Sequence, residues 1–170
     1  VMTAFLERID AVNPDLNALI NLTDPDCCLD LARQSDAQLR AGNYQGWLHG
    51  FPIAIKDLSN ARGFPTASGS ALFTDYTPSQ DDPHVERMRT AGGIVIGKTN
   101  VPEWGLGGHT ENSVFGLTGN ARDQALSAGG SSGGAATAVA SHMLPLADGS
   151  DMMGSLRTPA AFQSIVGFYY

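Results

Sequence analysis

Two serines in separate glycine-rich segments are the residues whose types and spacing best suit chemistry. Ser131 lies in the run Gly129–Gly134, and Ser155 lies 24 residues later in the run Gly149–Arg157. Glycine lets the backbone approach a ligand closely and adopt conformations that other residues avoid, so such turns can expose a hydroxyl together with N–H groups. A serine nucleophile beside donors that hold an oxyanion is typical of a hydrolase.

A lysine at the end of an apolar run supplies a candidate base. The run Phe51–Ile55 is typical of a buried strand, and Lys56 and Asp57 follow it directly. Burial disfavours the charged form of a lysine, and the neutral amine can accept a proton. On the residues alone, a packed stem with its ammonium in water is the more common arrangement.

Two familiar motifs also match the chain, but their contexts do not fit. Residues 92–99 match the phosphate-loop pattern G-x-x-x-x-G-K-[ST], although the middle of the match predicts a strand. Residues 129–133 match the nucleophile elbow G-x-S-x-G, which would make Ser131 the attacking residue. An elbow enzyme needs an acid and then a histidine downstream, whereas His142, the only later histidine, precedes the available aspartates.

Taken together, these segments resemble the amidase signature family. The family's core motif is similar to Gly-Gly-Ser-Ser-Gly-Gly at residues 129–134, Gly-Ser-Asp at 149–151 and Gly-Ser-Leu-Arg-Thr-Pro-Ala at 154–160. Further segments that resemble the family, in the family's order, lie at 48–57, 97–100, 110–116 and 162–167. The resemblance therefore covers nearly the whole chain.

The resemblance implies an α/β fold with a mixed central β-sheet covered by α-helices. Residues 1–170 would form a single partial domain, with the signature core at about 48–170. Because family members run to several hundred residues, we expect a fragment whose fold is incomplete at the C-terminus.

The resemblance also implies a Ser-Ser-Lys triad. Ser155 would attack the amide carbonyl, Ser131 would relay the proton, and neutral Lys56 would accept it. Family members have an unusual cis peptide bond at the serine in the Ser131 position. Water would then cleave the acyl-enzyme. The expected function is hydrolysis of a carboxamide or acyl amide.

Further site residues follow from the resemblance. The oxyanion would be held by backbone N–H groups of Met152, Met153, Gly154 and Ser155. Family members commonly carry Thr-Gly or Ile-Gly where this chain has the two methionines, so a methionine would be strained if that position requires a positive φ. The supporting residues would be Ser150, Asp151, Arg157 and Ser132, and a weaker substrate-binding assignment falls on Gly105, Leu106 and Gly107.

Composition restricts the partners. A formal net charge of −7 without a basic cluster disfavours a nucleic-acid surface, and 42% apolar residues with 20 glycines suit a globular domain. No segment has the apolar length of a membrane span, and no charged leader begins the chain. We expect a cytoplasmic protein that acts on a small-molecule amide and can form a homodimer.

The sulfur and imidazole groups predict no metal or cofactor. Cys27 and Cys28 are adjacent in a predicted helix, where they cannot readily pair, which favours a reducing compartment. The four histidines lack the spacing of a metal site.

Two other functions stay open at this point. The first is the amidase component of a glutamine-dependent transfer-RNA amidotransferase, whose members usually keep the small residues that Met152 and Met153 replace. The second is a truncated relative that keeps the triad residues but has no closed pocket.

Hydrophobic periodicity and turn residues predict the elements. Helices are expected at 5–12, 24–40, 83–91, 133–140 and 159–164, and strands at 18–22, 51–55, 94–96, 144–147 and 165–170.

Overall fold

The computed structural model describes residues 1–169, which contain five α-helices and five short strands joined by turns and loops. The helices are α1 (Met2–Leu16), α2 (Pro25–Arg40), α3 (Pro83–Thr90), α4 (Gly133–Ala140) and α5 (Arg157–Gln163). The strands are β1 (Leu19–Ile20), β2 (Pro52–Lys56), β3 (Ile94–Thr99), β4 (Glu111–Asn112) and β5 (Gly116–Leu117). A single 3-10 turn covers Glu103–Gly105.

Local sequence explains where two helices begin. The Asp24 carboxylate caps α2 by accepting the N–H groups of Asp26 and Cys27, and Pro25 stands at the first turn, where its missing N–H costs nothing. Pro83 likewise stands at the first turn of α3, although no side chain among the described residues caps that helix. None of the described helices is long and apolar enough to cross a membrane.

The main sheet is mixed, as expected from the resemblance. Its order is β1-β3-β2, with β2 parallel and β1 antiparallel to the central strand β3. At the carboxyl ends of the parallel pair, Lys56 lies opposite Thr99, and Ile55 lies opposite Lys98. Because side chains alternate along a strand, Lys56 and Lys98 project from opposite faces of the sheet.

Helices cover both faces of this sheet. On one face, Ala54 and Ile96 pack with residues of α1, α2 and α4. On the other face, Ile53 and Ile55 pack with Val85 of α3. Lys56 shares the face of Ala54 and is therefore directed toward the α4 side.

Two predicted strands are absent from the described residues. Residues 144–147 form no strand, because Leu144 donates its N–H to Ala138 at the end of α4 and the segment then turns toward β2. Residues 165–169 also form no strand, since Ile165 donates to Ala160 and closes α5 instead of pairing with a neighbour. Tyr170, the end of that predicted strand, lies outside the described residues.

Candidate active site

The Lys56 side chain is buried between the end of β2 and the start of α4. It is 1% exposed, and its Nζ donates to Ser131 Oγ at 2.8 Å, Ser132 Oγ at 2.7 Å and Ser150 Oγ at 2.9 Å. An ammonium group has three N–H donors, so the three hydroxyls satisfy all of them. The structure thus brings together the two residues assigned to proton transfer, Lys56 and Ser131.

Glycines and one threonine shape the turn before α4. Gly129 has a φ of 79°, and the peptide bond between Gly130 and Ser131 is cis. Thr110 Oγ1 donates to the Gly129 carbonyl at 2.8 Å and accepts the Gly133 N–H at 3.1 Å. A Cβ on Gly133 would overlap the Thr110 side chain, so glycine is required there. This turn presents Ser131 to Lys56.

The loop that carries Ser155 is organised by the carboxylate of Asp151. That carboxylate accepts the N–H of Gly154 at 2.6 Å and the N–H of Leu156 at 3.3 Å. It also pairs with Arg157, through Nε at 2.9 Å and Nη2 at 3.1 Å. The Arg157 guanidinium is the main cause that holds the pKa of Asp151 below its usual range. Asp151 and Arg157 therefore form an ion pair, and the Asp151 carboxylate fixes the bend of the loop.

Ser155 joins the site through its backbone. Its carbonyl accepts the Ser132 N–H at 3.0 Å, which ties the two serine-bearing turns together. Across the described part of the chain, Ser155 Oγ forms no hydrogen bond. Ser155 is half-buried, and catalytic hydrogen bonds often tighten only when substrate binds.

The expected oxyanion donors fall into two groups. The Gly154 N–H is engaged by Asp151, so this donor does not face a substrate in the present conformation. Within residues 1–169, the N–H groups of Met152, Met153 and Ser155 have no acceptor. A turn that exposes several unpaired N–H groups is suited to an anion.

The two methionines are not strained. The residue of the loop with a positive φ is Gly154, at 100°, and neither Met152 nor Met153 is among the residues with positive φ. Both side chains point to solvent, with exposures of 82% and 86%. The expected strain is absent because glycine still occupies the position that needs it.

The segment Gly105-Leu106-Gly107 lies beside the Ser131 turn. A Cβ atom placed on Gly105 would lie 3.6 Å from Ser131 Oγ. A Cβ atom placed on Gly130 would lie 2.7 Å from the carbonyl oxygen of Gly107. Leu106 is largely exposed. The placement of this segment is compatible with the predicted contact to substrate.

Burial sets the charge of the lysine. Removal from water lowers the pKa of Lys56 to about 8, and the negative charges of Asp148 and Asp151 limit the decrease. A substantial fraction of the amine is therefore neutral at mildly alkaline pH. A neutral Lys56 in contact with Ser131 has a lone pair that can accept a proton.

Sequence reasoning did not assign Asp148 and His84 to the site. Asp148 Oδ1 accepts the backbone N–H of Lys56 at 2.7 Å, and its Oδ2 lies 3.3 Å from His84 Nε2. Asp148 stands next to the glycine that opens the Ser155 segment, and this proximity was the available signal. His84 is distant in the sequence and gave none.

A second buried lysine lies on the opposite face of the sheet. Lys98 Nζ donates to the Ser59 carbonyl at 2.7 Å and to Thr66 Oγ1 at 2.8 Å, and it lies 3.5 Å from Asp57 Oδ1. The Asp57 carboxylate also accepts the Gly69 N–H at 3.2 Å. These contacts fix the loop that follows Lys56, so Lys98 supports the site from behind.

The chain is similar to known proteins in both sequence and structure. The family model described as Amidase matches residues 1–169. A glutamyl-tRNA(Gln) amidotransferase subunit of Acidothermus cellulolyticus is 46% identical over 98% of this chain and 33% of its own length. Acylamidase of Rhodococcus erythropolis is 44% identical over 98% of this chain and 35% of its own length. The native peptide amidase structure from Stenotrophomonas maltophilia has a TM-score of 0.85 and 37% identity, covering 94% of this chain and 34% of that one. The chain thus spans about a third of the length of these relatives.

Proposed function

The chain belongs to the amidase family, and on this premise we propose that it hydrolyses the C–N bond of a carboxamide or acyl amide through a serine acyl-enzyme. The observation that carries the proposal is the buried Lys56, whose Nζ contacts Ser131 Oγ at 2.8 Å. A desolvated lysine paired with a hydroxyl is an arrangement that activates a serine.

The proposed reaction consists of acylation of Ser155 followed by hydrolysis of the acyl-enzyme. Ser155 Oγ attacks the carbonyl carbon while its proton passes to Ser131, whose own proton passes to neutral Lys56. The N–H groups of Met152, Met153 and Ser155 hold the oxyanion. As the C–N bond breaks, Lys56 returns the proton through Ser131 to the leaving nitrogen. Water then repeats the sequence on the acyl-enzyme and releases the acid.

Ser132 and Ser150 are proposed to orient the lysine. Both hydroxyls accept from Lys56 Nζ, and Ser132 Oγ also lies 3.4 Å from the Ser150 carbonyl. These two contacts hold the Lys56 amine in the position where it also contacts Ser131 Oγ. Their hydroxyls stabilise a position for the amine and take no part in bond making.

A second candidate function is the amidase component of a transfer-RNA amidotransferase. It is favoured by the 46% identity to a glutamyl-tRNA(Gln) amidotransferase subunit. The same serine chemistry would then release ammonia for a partner protein. Turnover of simple acyl amides without added partners would favour the hydrolase, whereas turnover of glutamine alone would favour the amidotransferase component.

Covalent trapping by a fluorophosphonate tests the proposal. The reagent phosphonylates an activated serine with loss of fluoride, so peptide mapping should find one adduct, on Ser155. Ser164→Ala, which removes a serine outside the site, should label like the wild type. An adduct on Ser131 would support the elbow alternative, and a folded chain without an adduct would support a non-catalytic relative.

The labelling rate should rise with pH through about 8. The reason is the pKa of Lys56, which burial lowers to about 8, because only the neutral amine can accept the serine proton. The measurement is the second-order rate constant for labelling between about pH 6 and pH 10, corrected for hydrolysis of the reagent. A rate that stays constant across this interval would show that Lys56 is not the base.

A further inference from the structure

The loop 148–150 holds Lys56 at two points. Ser150 Oγ accepts from Lys56 Nζ at 2.9 Å, and Asp148 Oδ1 accepts from the Lys56 backbone N–H at 2.7 Å. The second contact matters because, among residues 1–169, β2 lies at the edge of the sheet. Asp57 donates its N–H to Thr99 of β3, so the N–H of the preceding residue points away from the sheet. Asp148 supplies the acceptor that the sheet does not.

Asp148 also acts on the Lys56 ammonium through its charge. Its side chain is 11% exposed, so solvent screens its field only weakly. Among the charges that act on Lys56, Asp148 is the larger influence that raises its pKa, followed by Asp151. A carboxylate at this point therefore favours the protonated lysine and opposes the effect of burial.

His84 holds Asp148 from the outside of the site. It is the second residue of α3, and its Nε2 lies 3.3 Å from Asp148 Oδ2. The pKa of His84 is raised mainly by its hydrogen bond to Asp148 and to a smaller extent by the negative charge of Asp82. Burial and the positive charge of Arg87 lower this pKa and so limit the increase. The imidazole can donate to Asp148 in its charged form or in one neutral tautomer.

We infer that Asp148 is a positioning residue that holds Lys56 by its backbone N–H, and that His84 keeps Asp148 in place. The inference rests on the proposed role of Lys56 as the base. It adds two residues, from the loop before Ser155 and from α3, that touch neither substrate nor the reacting atoms.

Asp148→Asn separates charge from hydrogen bonding. Asparagine keeps an oxygen that can accept the Lys56 N–H but removes the negative charge. The pH at which fluorophosphonate labelling reaches half its maximal rate should fall by about one unit, because the negative charge that favours the protonated amine is lost. Asp75→Asn makes the same charge change at an exposed position and should leave the profile in place. An unmoved profile in Asp148→Asn would overturn the charge effect.

Asp148→Ala and the His84 variants test the positioning effect. Asp148→Ala removes both acceptor and charge, so the maximal labelling rate should fall about tenfold, while Asp148→Asn stays within about twofold of the wild type. His84→Ala should lower the maximal rate severalfold, and His84→Gln should restore it because its amide can donate to Asp148. Wild-type rates in His84→Ala would overturn the role of His84.

Lysine NMR gives a readout that does not depend on activity. Lys56 and Lys98 are the two lysines of the chain, so isotope-labelled lysine yields two side-chain signals, which Lys98→Arg assigns. The Lys56 signal should titrate with a midpoint near pH 8. In Asp148→Asn this midpoint should move to lower pH by more than the midpoint of the Lys98 signal does, since Asp57 is the main charge acting on Lys98. If the wild type takes up no fluorophosphonate while this shift occurs, the proposed function fails and the inference stands. If the wild type is labelled and the Lys56 signal does not move, the inference fails alone.

Discussion

Replacement of Ser155 by alanine should abolish formation of the acyl-enzyme and lower amide turnover by about 10⁴-fold or more, because the oxygen that we propose as the nucleophile is removed. Ser131 is the alternative nucleophile that the elbow motif offers, but in the proposed reaction its hydroxyl relays the proton to Lys56, which it contacts at 2.8 Å. The measurement is release of amine from an acyl amide, together with intact mass after rapid quenching. The variant should show no mass increase of an acyl group.

Two neighbouring serines provide matched comparisons for this result. Ser131→Ala removes the proposed proton relay and should slow turnover greatly while leaving Ser155 in place. Ser132→Ala removes one of three acceptors of Lys56 Nζ, so its effect should be smaller and should include some loss of stability. Near-ultraviolet circular dichroism checks that each variant is folded. Acylation of a folded Ser155→Ala variant would disprove the assignment of the nucleophile.

Replacement of Lys56 by arginine should lower turnover by about 10³-fold at every pH that the protein tolerates. General base catalysis contributes about 10² to 10⁴, and arginine stays protonated throughout this range, so it cannot accept the serine proton. The measurement is kcat/KM for an acyl amide from about pH 6 to pH 10. The absence of any rise with pH distinguishes a lost base from a displaced one.

The buried position of Lys56 requires a second variant. A guanidinium is larger than an ammonium, and this side chain is only 1% exposed. Lys56→Met keeps the length of the stem, removes the charge and leaves the three hydroxyls to find other partners. It should be as inactive as the arginine variant while remaining folded. Activity in either variant that increases with pH as in the wild type would exclude Lys56 as the base.

The mixed sheet and the Lys56–Ser131 contact were within reach of the sequence, whereas the surroundings of Lys56 were not. The strand and the glycine-rich turn are local patterns, and the resemblance joined them into one site. Asp148 lies 92 residues from Lys56, and His84 lies 64 residues from Asp148, so neither contact has a local signature. The apolar run at 144–147 predicts a strand that does not form, because hydrophobicity does not reveal whether a partner strand is present.

The methionine pair illustrates a second limit of sequence reasoning. Their place in the turn before Ser155 predicted strain, on the assumption that the glycine they replace has a positive φ. In the folded chain the positive φ falls on Gly154 instead. Composition alone does not tell which of several consecutive residues bears the unusual conformation, since this depends on the anchoring of the loop by Asp151.

The burial of both lysines changes what amine chemistry can report about this protein. Lys56 and Lys98 are 1% and 0% exposed, and all other basic side chains except histidine are arginines. An acylating reagent in the surrounding solution therefore meets no accessible ε-amino group while the fold is closed. Each ε-amine acylation therefore records an opening of the structure around one of the two lysines, so the rate of modification measures how often the segments that cover Lys56 and Lys98 move away.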